Sequence, residues 1–170
     1  MVRALTIAGV LVAAGSGLMQ LRSGDFPAGG RLARQLMASE CGGYDRSPEL
    51  EWSGAPKGTK SFALIMHDPD APIAGGFYHW VVYDLPAETR RLPGSVKLPT
   101  SELGVSSTGK PAYYGPCPPP GPAHHYNFTL YALDVGSIGA HTPLDGPQLR
   151  RTIGGHVLGR ATLQGTASRS

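Results

Sequence analysis

Residues 61–72 read SFALIMHDPDAP, and this stretch decides how the rest of the chain is read. Along Ser61 to His67 successive side chains point to opposite faces, so Phe62, Leu64 and Met66 share one side and Ala63 and Ile65 the other. Both faces are apolar, which predicts a strand buried on both sides, as inside a sandwich. Asp68-Pro69-Asp70-Ala71-Pro72 follows directly. Its prolines restrict the backbone and it sets two carboxylates two residues apart. Such a loop can be a fixed acidic rim that orients histidines or accepts from a ligand. It can equally be an Asx turn that ends a strand.

Working outward, His79 to Leu85 reads as a second strong strand, with β-favouring Val81, Val82 and Tyr83, and Pro86 ends it. Tyr126 to Val135 reads as a third, with Tyr126, Phe128 and Leu130 on one face and Asn127, Thr129 and Tyr131 on the other. Leu50-Glu51-Trp52 reads as a short strand before the Ser53-Gly54 turn. The second and third strands are separated by about 40 residues rich in Pro, Gly and Ser. A connection of that length is usually functional or mobile. Near the end a helix is predicted, with Thr142 as N-cap, Pro143 at N1, Asp145 in the first turn, an apolar face of Leu144, Leu149 and Ile153, and a stop at Gly154-Gly155. Residues 156–164 are expected to form a last strand. Strands far apart in sequence, long connections and few helices predict a mostly β fold: an antiparallel Greek-key β-sandwich with a few short peripheral helices. Pattern alone does not exclude a barrel.

The 170 residues suit one domain able to bury a core without staples. Gly (24) and Pro (16) approach a quarter of the chain, but they alternate with apolar segments and so mark loops on a β scaffold. The net charge of +3 is small and scattered. Arg90-Arg91 and Arg150-Arg151 are pairs, not patches, so nucleic acid is not an expected partner. Arg3 precedes an apolar run, Ala4 to Ala14, too short to span a bilayer. With the small residues that follow it, the run suits a secretory leader over residues 1–18, leaving a single domain over 19–170. The expectation is an exported chain, periplasmic or secreted, whose mature form has no transmembrane helix. Translation from Met19 would instead leave a cytoplasmic protein.

Two further polar clusters stand beside the strands. His79-Trp80 opens the second, and Gly115-Pro116-Cys117-Pro118-Pro119-Pro120-Gly121 leads to His124-His125-Tyr126 before the third. Prolines can wall a small cavity stiffly, and His124 and the Tyr126 hydroxyl can face an anion. Each cluster also reads as packed or solvated histidines. Asp68, Asp70, His79, His124 and His125 are chemically able to hold a metal, but no H-x-x-x-H, H-E-x-x-H or C-x-x-C spacing supports one. There is no G-x-S-x-G, and Cys117 between prolines is not at a helix N-terminus that would activate it. Cys41 and Cys117 are the only cysteines. Outside the cytosol they could pair; within it they would stay as two thiols.

Taken together, the segments resemble a known family. SPELEW at 47–52, APKGTKSF at 55–62, DPDAP at 68–72, HWVVY at 79–83, GPCPPPG at 115–121 with His124-His125-Tyr126, and GHVL at 155–158 fall in the order found in the phosphatidylethanolamine-binding proteins, in their bacterial Raf kinase inhibitor-like group. The resemblance covers roughly 19–166. It implies a Greek-key sandwich and a small pocket for phosphate-like anions or phospholipid headgroups of the phosphoethanolamine kind. By position the pocket would use Asp68, Asp70, His79, Cys117, Pro118, Pro119, His124 and Tyr126. No cofactor, no metal and no conventional enzymatic activity are implied. The alternative is a regulatory inhibitor or scaffold that docks a protease, kinase or host protein through the pocket rim. The resemblance further implies a Cys41–Cys117 disulfide, and a cis peptide is expected at Ala71-Pro72. Phe77 (for Trp), Ser107-Thr108 (for an Asp-aromatic pair) and Asp84 (for Asn) depart from the family pattern. The two carboxylates are expected to favour protonated pocket histidines, and hence tighter anion binding below about pH 6.5.

Overall fold

In a computed structural model that describes residues 18–169, the doubly apolar stretch is a central strand. The expected leader lies, except for Leu18, outside the described residues. The strands are β1 (Gln20–Arg22), β2 (Leu50–Ser53), β3 (Ser61–Asp68), β4 (Phe77–Pro86), β5 (Arg91–Leu92), β6 (His124–Leu133) and β7 (Val157–Ala167). One helix, α1 (Gly146–Ile153), precedes β7, and three short 3-10 turns lie at Arg34–Leu36, Ser39–Cys41 and Thr100–Glu102. The fold is mostly β, with two antiparallel sheets. The larger has the order β4-β3-β6-β7 and the smaller β1-β2-β5. The chain leaves β4 for the smaller sheet and returns on the far side of β3, a path compatible with Greek-key linkage. No helix among the described residues is long and apolar enough to cross a membrane.

The two faces of β3 are buried by different partners. Phe62, Leu64 and Met66 join Leu50, Trp52, Val82, Phe128 and Leu163 in the core between the sheets. Ala63 and Ile65 face the other way, against Val81, Tyr131 and Leu133, where Leu149 and Ile153 of α1 cover them. The second apolar face of β3 is thus closed by a peripheral helix. Burying a large aliphatic side chain contributes about 1.5–3 kcal/mol, so this short helix is held chiefly by Leu149 and Ile153.

The helix starts later than the sequence reading placed it. Asp145, not Thr142, is the N-cap, and Pro147 lies inside the first turn. The Asp145 carboxylate accepts from the Gln148 N–H at 2.7 Å, and the Gln148 side chain accepts from the Asp145 N–H at 2.9 Å. This reciprocal pair satisfies two end groups where Thr142 could satisfy one. The Leu144 carbonyl, just upstream, is bound by the Val105 N–H and so is not free to begin a helix.

The 40-residue connection has structure of its own. It carries β5, then runs along the outer edge of β4. Gly104 N–H bonds to the Val81 carbonyl, Ser107 N–H to Tyr78 and Tyr114 N–H to His79, at 2.8–3.0 Å. An otherwise open strand edge is therefore covered. The same bonds bring Tyr114 to Pro119 against the start of β4.

Candidate functional site

The site is built where β3 ends. Asp68 is buried, and both of its oxygens are used. Oδ1 accepts from the N–H groups of Asp70 and Ala71, at 2.8 and 3.1 Å, and Oδ2 accepts from His124 Nδ1 at 2.8 Å. The Asx turn and the histidine-orienting carboxylate, weighed as alternatives in the sequence, are both true of this one residue. The turn closes at Gly76, whose φ of 73° lies in the left-handed region and whose missing side chain leaves room for the Asp68 carbonyl. No cis peptide bond occurs among the described residues, so Ala71-Pro72 is trans, contrary to expectation. The Asp68 turn and Gly76 reverse the chain, and a cis proline is not needed.

His79 reaches the same place through a bulge. Met66 pairs with Trp80 and His67 with Tyr78, so His79 is an extra residue in β4 with no partner on β3. Strict alternation would send His79 to the side of Val81, under α1. The bulge instead turns it to the side of Trp80, towards β6. There its ring meets Tyr126 edge-on, with centroids 5.2 Å apart, and packs on Phe77 at 4.6 Å. His79 Nδ1 lies 2.8 Å from the Tyr114 carbonyl oxygen.

A cavity of about 170 Å³ lies among Asp68, His79, His124, Tyr126, Cys117, Pro118 and Pro119, with Ala71, Pro72, Ile73, Phe77 and Tyr114 completing its wall. Residues from three separate segments thus converge. Seven of the eight candidate residues line this space and Asp70 does not. Its carboxylate, 41% exposed, faces outward and accepts from the backbone N–H and Nδ1 of His125, both at 2.7 Å. The His125 hydrogen bonds hold the Asp70 carboxyl below its usual range. Phe77, noted in the sequence as standing for the family's Trp before the pocket histidine, lines the cavity, whereas Ile73 and Tyr114 were not anticipated. Tyr114 adjoins the GPCPPPG segment and so was within reach of the motifs.

A disulfide joins Cys41 to Cys117, with Cα atoms 5.6 Å apart. It ties the proline wall to the 3-10 turn at Ser39–Cys41. Behind it the Arg169 guanidinium donates to Cys41 Sγ at 2.8 Å. Gly115 carries the wall past Leu36 to Ala38 so closely that a side chain there would overlap their backbone.

Two polar atoms of this site, His79 Nε2 and the Tyr126 hydroxyl, are buried without a hydrogen-bond partner among the described residues. Burial keeps the Tyr126 phenol protonated, far above its usual range. The nearby Asp68 carboxylate adds to that rise, although among the described residues the hydroxyl has no partner within ordinary hydrogen-bond distance. Burial also pushes His79 down to about 4. The Tyr114 carbonyl and the Asp68 charge oppose this and are outweighed. The expectation that carboxylates would keep His79 protonated is therefore corrected: desolvation decides.

A larger and shallower groove of about 720 Å³ runs past Tyr44, Asp45, Arg46 and Lys97. Asp45 there is held by the Ser39 and Gly115 N–H groups, and Arg46 lies 3.4 Å from Asp25. Its charges are largely committed to the fold, so the smaller cavity is the better candidate.

Comparison with known proteins identifies the family. The family model for phosphatidylethanolamine-binding protein matches residues 22–168. A UPF0098 protein of Aquifex aeolicus (strain VF5) is 38% identical over 164 residues, covering 94% of either chain. The UPF0098 protein YbhB of Escherichia coli (strain K12) is 38% identical over 153 residues, which cover 85% of this chain and 97% of YbhB. The crystal structure of E. coli YbcL, described as a new member of the mammalian PEBP family, superposes with a TM-score of 0.84 at 32% identity, covering 91% of this chain and all of that one. The chain belongs to the phosphatidylethanolamine-binding protein family.

Proposed function

We propose that the protein is a non-enzymatic binding protein whose pocket holds a phosphate-like group, either free or on a small headgroup such as phosphoethanolamine. The observation that carries this reading is the pair of orphaned polar atoms, His79 Nε2 and Tyr126 Oη, on the walls of one small cavity. Buried polar atoms without partners are costly, and a site with such atoms is shaped for a ligand that supplies them. The volume suits a group of phosphate size. The apolar walls of Phe77, Pro118 and Pro119 exclude water and strengthen each polar contact. Asp68 positions His124, and both of its oxygens already accept hydrogen bonds from the protein. Cys117, which lines the cavity, is in a disulfide and so is not a free nucleophile.

The docking alternative rests on less. Ile73 is the one large apolar side chain exposed on the described rim, and a single such residue is ordinary surface. Calorimetric titration with phosphoethanolamine and with inorganic phosphate tests the binding reading. Heat that saturates at one site, and is lost in Tyr126→Phe, supports it. No binding of either up to millimolar concentration refutes it.

We also propose export. The leader-like start and the Cys41–Cys117 disulfide support it, since such bonds persist outside the reducing cytosol. Mass spectrometry of the native protein should find a processed N-terminus and no free thiol. A full-length chain with two free thiols would refute export.

A further inference from the structure

The hydrogen-bond polarity of the pocket is fixed by its walls. His79 Nδ1 lies 2.8 Å from the Tyr114 carbonyl oxygen. A carbonyl only accepts, so Nδ1 carries the hydrogen. In a neutral imidazole the other nitrogen then carries none, and Nε2 is a bare lone pair. That lone pair is buried and unpartnered, on a ring only 3% exposed. The neighbouring Tyr126 hydroxyl is equally unpartnered and carries a hydrogen to donate. Asp68 already accepts from the N–H groups of Asp70 and Ala71 and from His124. The buried, unpartnered atoms of the pocket are therefore one acceptor that needs a hydrogen beside one donor that needs a lone pair. A fully deprotonated oxyanion satisfies the donor but sets its own lone pairs against His79.

We propose that the pocket selects oxyanions that still carry a hydrogen, namely hydrogen phosphate or a phosphomonoester monoanion, with His79 Nε2 accepting the P–OH hydrogen and Tyr126 donating to a P–O⁻ oxygen. The inference rests on the oxyanion reading of this cavity and narrows it. A phosphodiester, the form in an intact phospholipid, has no hydrogen to give; phosphoethanolamine and other monoesters have one. The groups that face His79 are Asp68 and His67 of β3, His124 and Tyr126 of β6, and Tyr114 of the long connection. The Asp68 charge favours a protonated ring and that of His67 opposes it, while burial exceeds both and leaves the ring neutral near pH 7.

The test compares ligands that differ in that one hydrogen. At about pH 5.5, below the second phosphate ionisation near 6, methyl phosphate and dimethyl phosphate both carry about one negative charge. Sulfate has the shape of phosphate and no hydrogen. Titration calorimetry on the full mature chain should find methyl phosphate and phosphate bound about tenfold or more tighter than dimethyl phosphate and sulfate, since a buried acceptor left unpaired is costly. Affinity for methyl phosphate should fall as the pH rises from 6 to 8 and the ligand loses its hydrogen. Nitrogen-15 NMR should find His79 neutral and Nδ1-protonated in the phosphate complex. In folded His79→Asn, whose amide can serve Tyr114 but not reach the Nε2 position, the phosphate-to-sulfate ratio should collapse towards one. Equal binding of sulfate and phosphate, or an imidazolium at His79 in the complex, would overturn the proposal and leave the oxyanion pocket standing. Binding of none of the four ligands would overturn both.

Discussion

His79 is an ionisable residue that the fold holds in one state, and this has a consequence for stability. Its folded value of about 4 lies below the unfolded value of about 6.5. Above the unfolded value both states are neutral and the stabilisation is intact. Between the two values the unfolded chain binds a proton that the folded chain refuses, so stability falls as the pH falls. The loss attributable to His79 between pH 6.5 and 4 is on the order of 3 kcal/mol. Urea unfolding at pH 7 and pH 4.5 should show a clearly smaller acid loss in His79→Asn than in the parent; equal losses would contradict the neutral, buried ring. Tyr126 makes the opposite kind of prediction. Its hydroxyl has no hydrogen-bond partner among the described residues, so Tyr126→Phe removes an unpaired buried group and no hydrogen bond. Stability should hold or rise by up to about 1 kcal/mol, while phosphate affinity drops about tenfold. A variant that loses stability in step with affinity would mean that the hydroxyl serves the fold. Asp84 shows how a departure from the family pattern is absorbed. Its φ of 57° is one that Asn and Asp both tolerate, and its carboxylate accepts from Ser137 Oγ and the Ile138 N–H.

The elements around the pocket were legible to different degrees. The two apolar faces of Ser61 to His67 announced β3, and DPDAP marked where it ends. The bulge in β4 was not legible, because an extra residue is visible only against the partner strand, and it is the bulge that aims His79. The outward position of Asp70 was hidden for a similar reason: Asp68 satisfies the turn and the histidine together and leaves Asp70 to His125. The Asp145 cap could have been found, since Gln148 stands three residues on and completes a capping box. β1 and β5, at three and two residues, are too short to carry a period of their own. The long connection is the element on which a prediction turns. Its proline wall is held from behind by the Cys41–Cys117 bond, which spans 76 residues of sequence. Chain-entropy reasoning gives such a cross-link up to about 4 kcal/mol. Replacing both cysteines by serine should lower the unfolding midpoint by a few kcal/mol equivalent. It should also weaken phosphate binding, because Cys117 lines the cavity. Unchanged affinity in the folded double variant would show that the wall stands without its tie.

At the scale of the whole molecule, the pocket is the end of the inter-sheet core, not a cleft between bodies. Tyr126 belongs to the same buried cluster as Phe128 and Leu130, and Trp80 sits one residue beyond His79 in that cluster. The sandwich was foreseen from strands far apart in sequence, and short peripheral helices with it; which face the helix covers was not, since an apolar face does not name its cover. A ligand in the cavity would touch β3, β4, β6 and the connection from Tyr114 to Pro119 at once. Those segments cannot separate while it is bound, so the unfolded chain has no comparable site. Binding only to the folded state adds about 2.7 kcal/mol when free ligand is a hundredfold above its dissociation constant. The stabilisation should therefore be global. Trp52 and Trp80 are both buried in the inter-sheet core and report its loss by fluorescence, while far-ultraviolet circular dichroism reports the sheets. In urea titrations with saturating phosphate, both signals should move to higher midpoints by the same amount with an unchanged slope. If the fluorescence midpoint moves and the dichroism midpoint does not, the pocket end opens independently of the sheets. The cavity would then be an annex to the core, contrary to the packing that places Tyr126 within it.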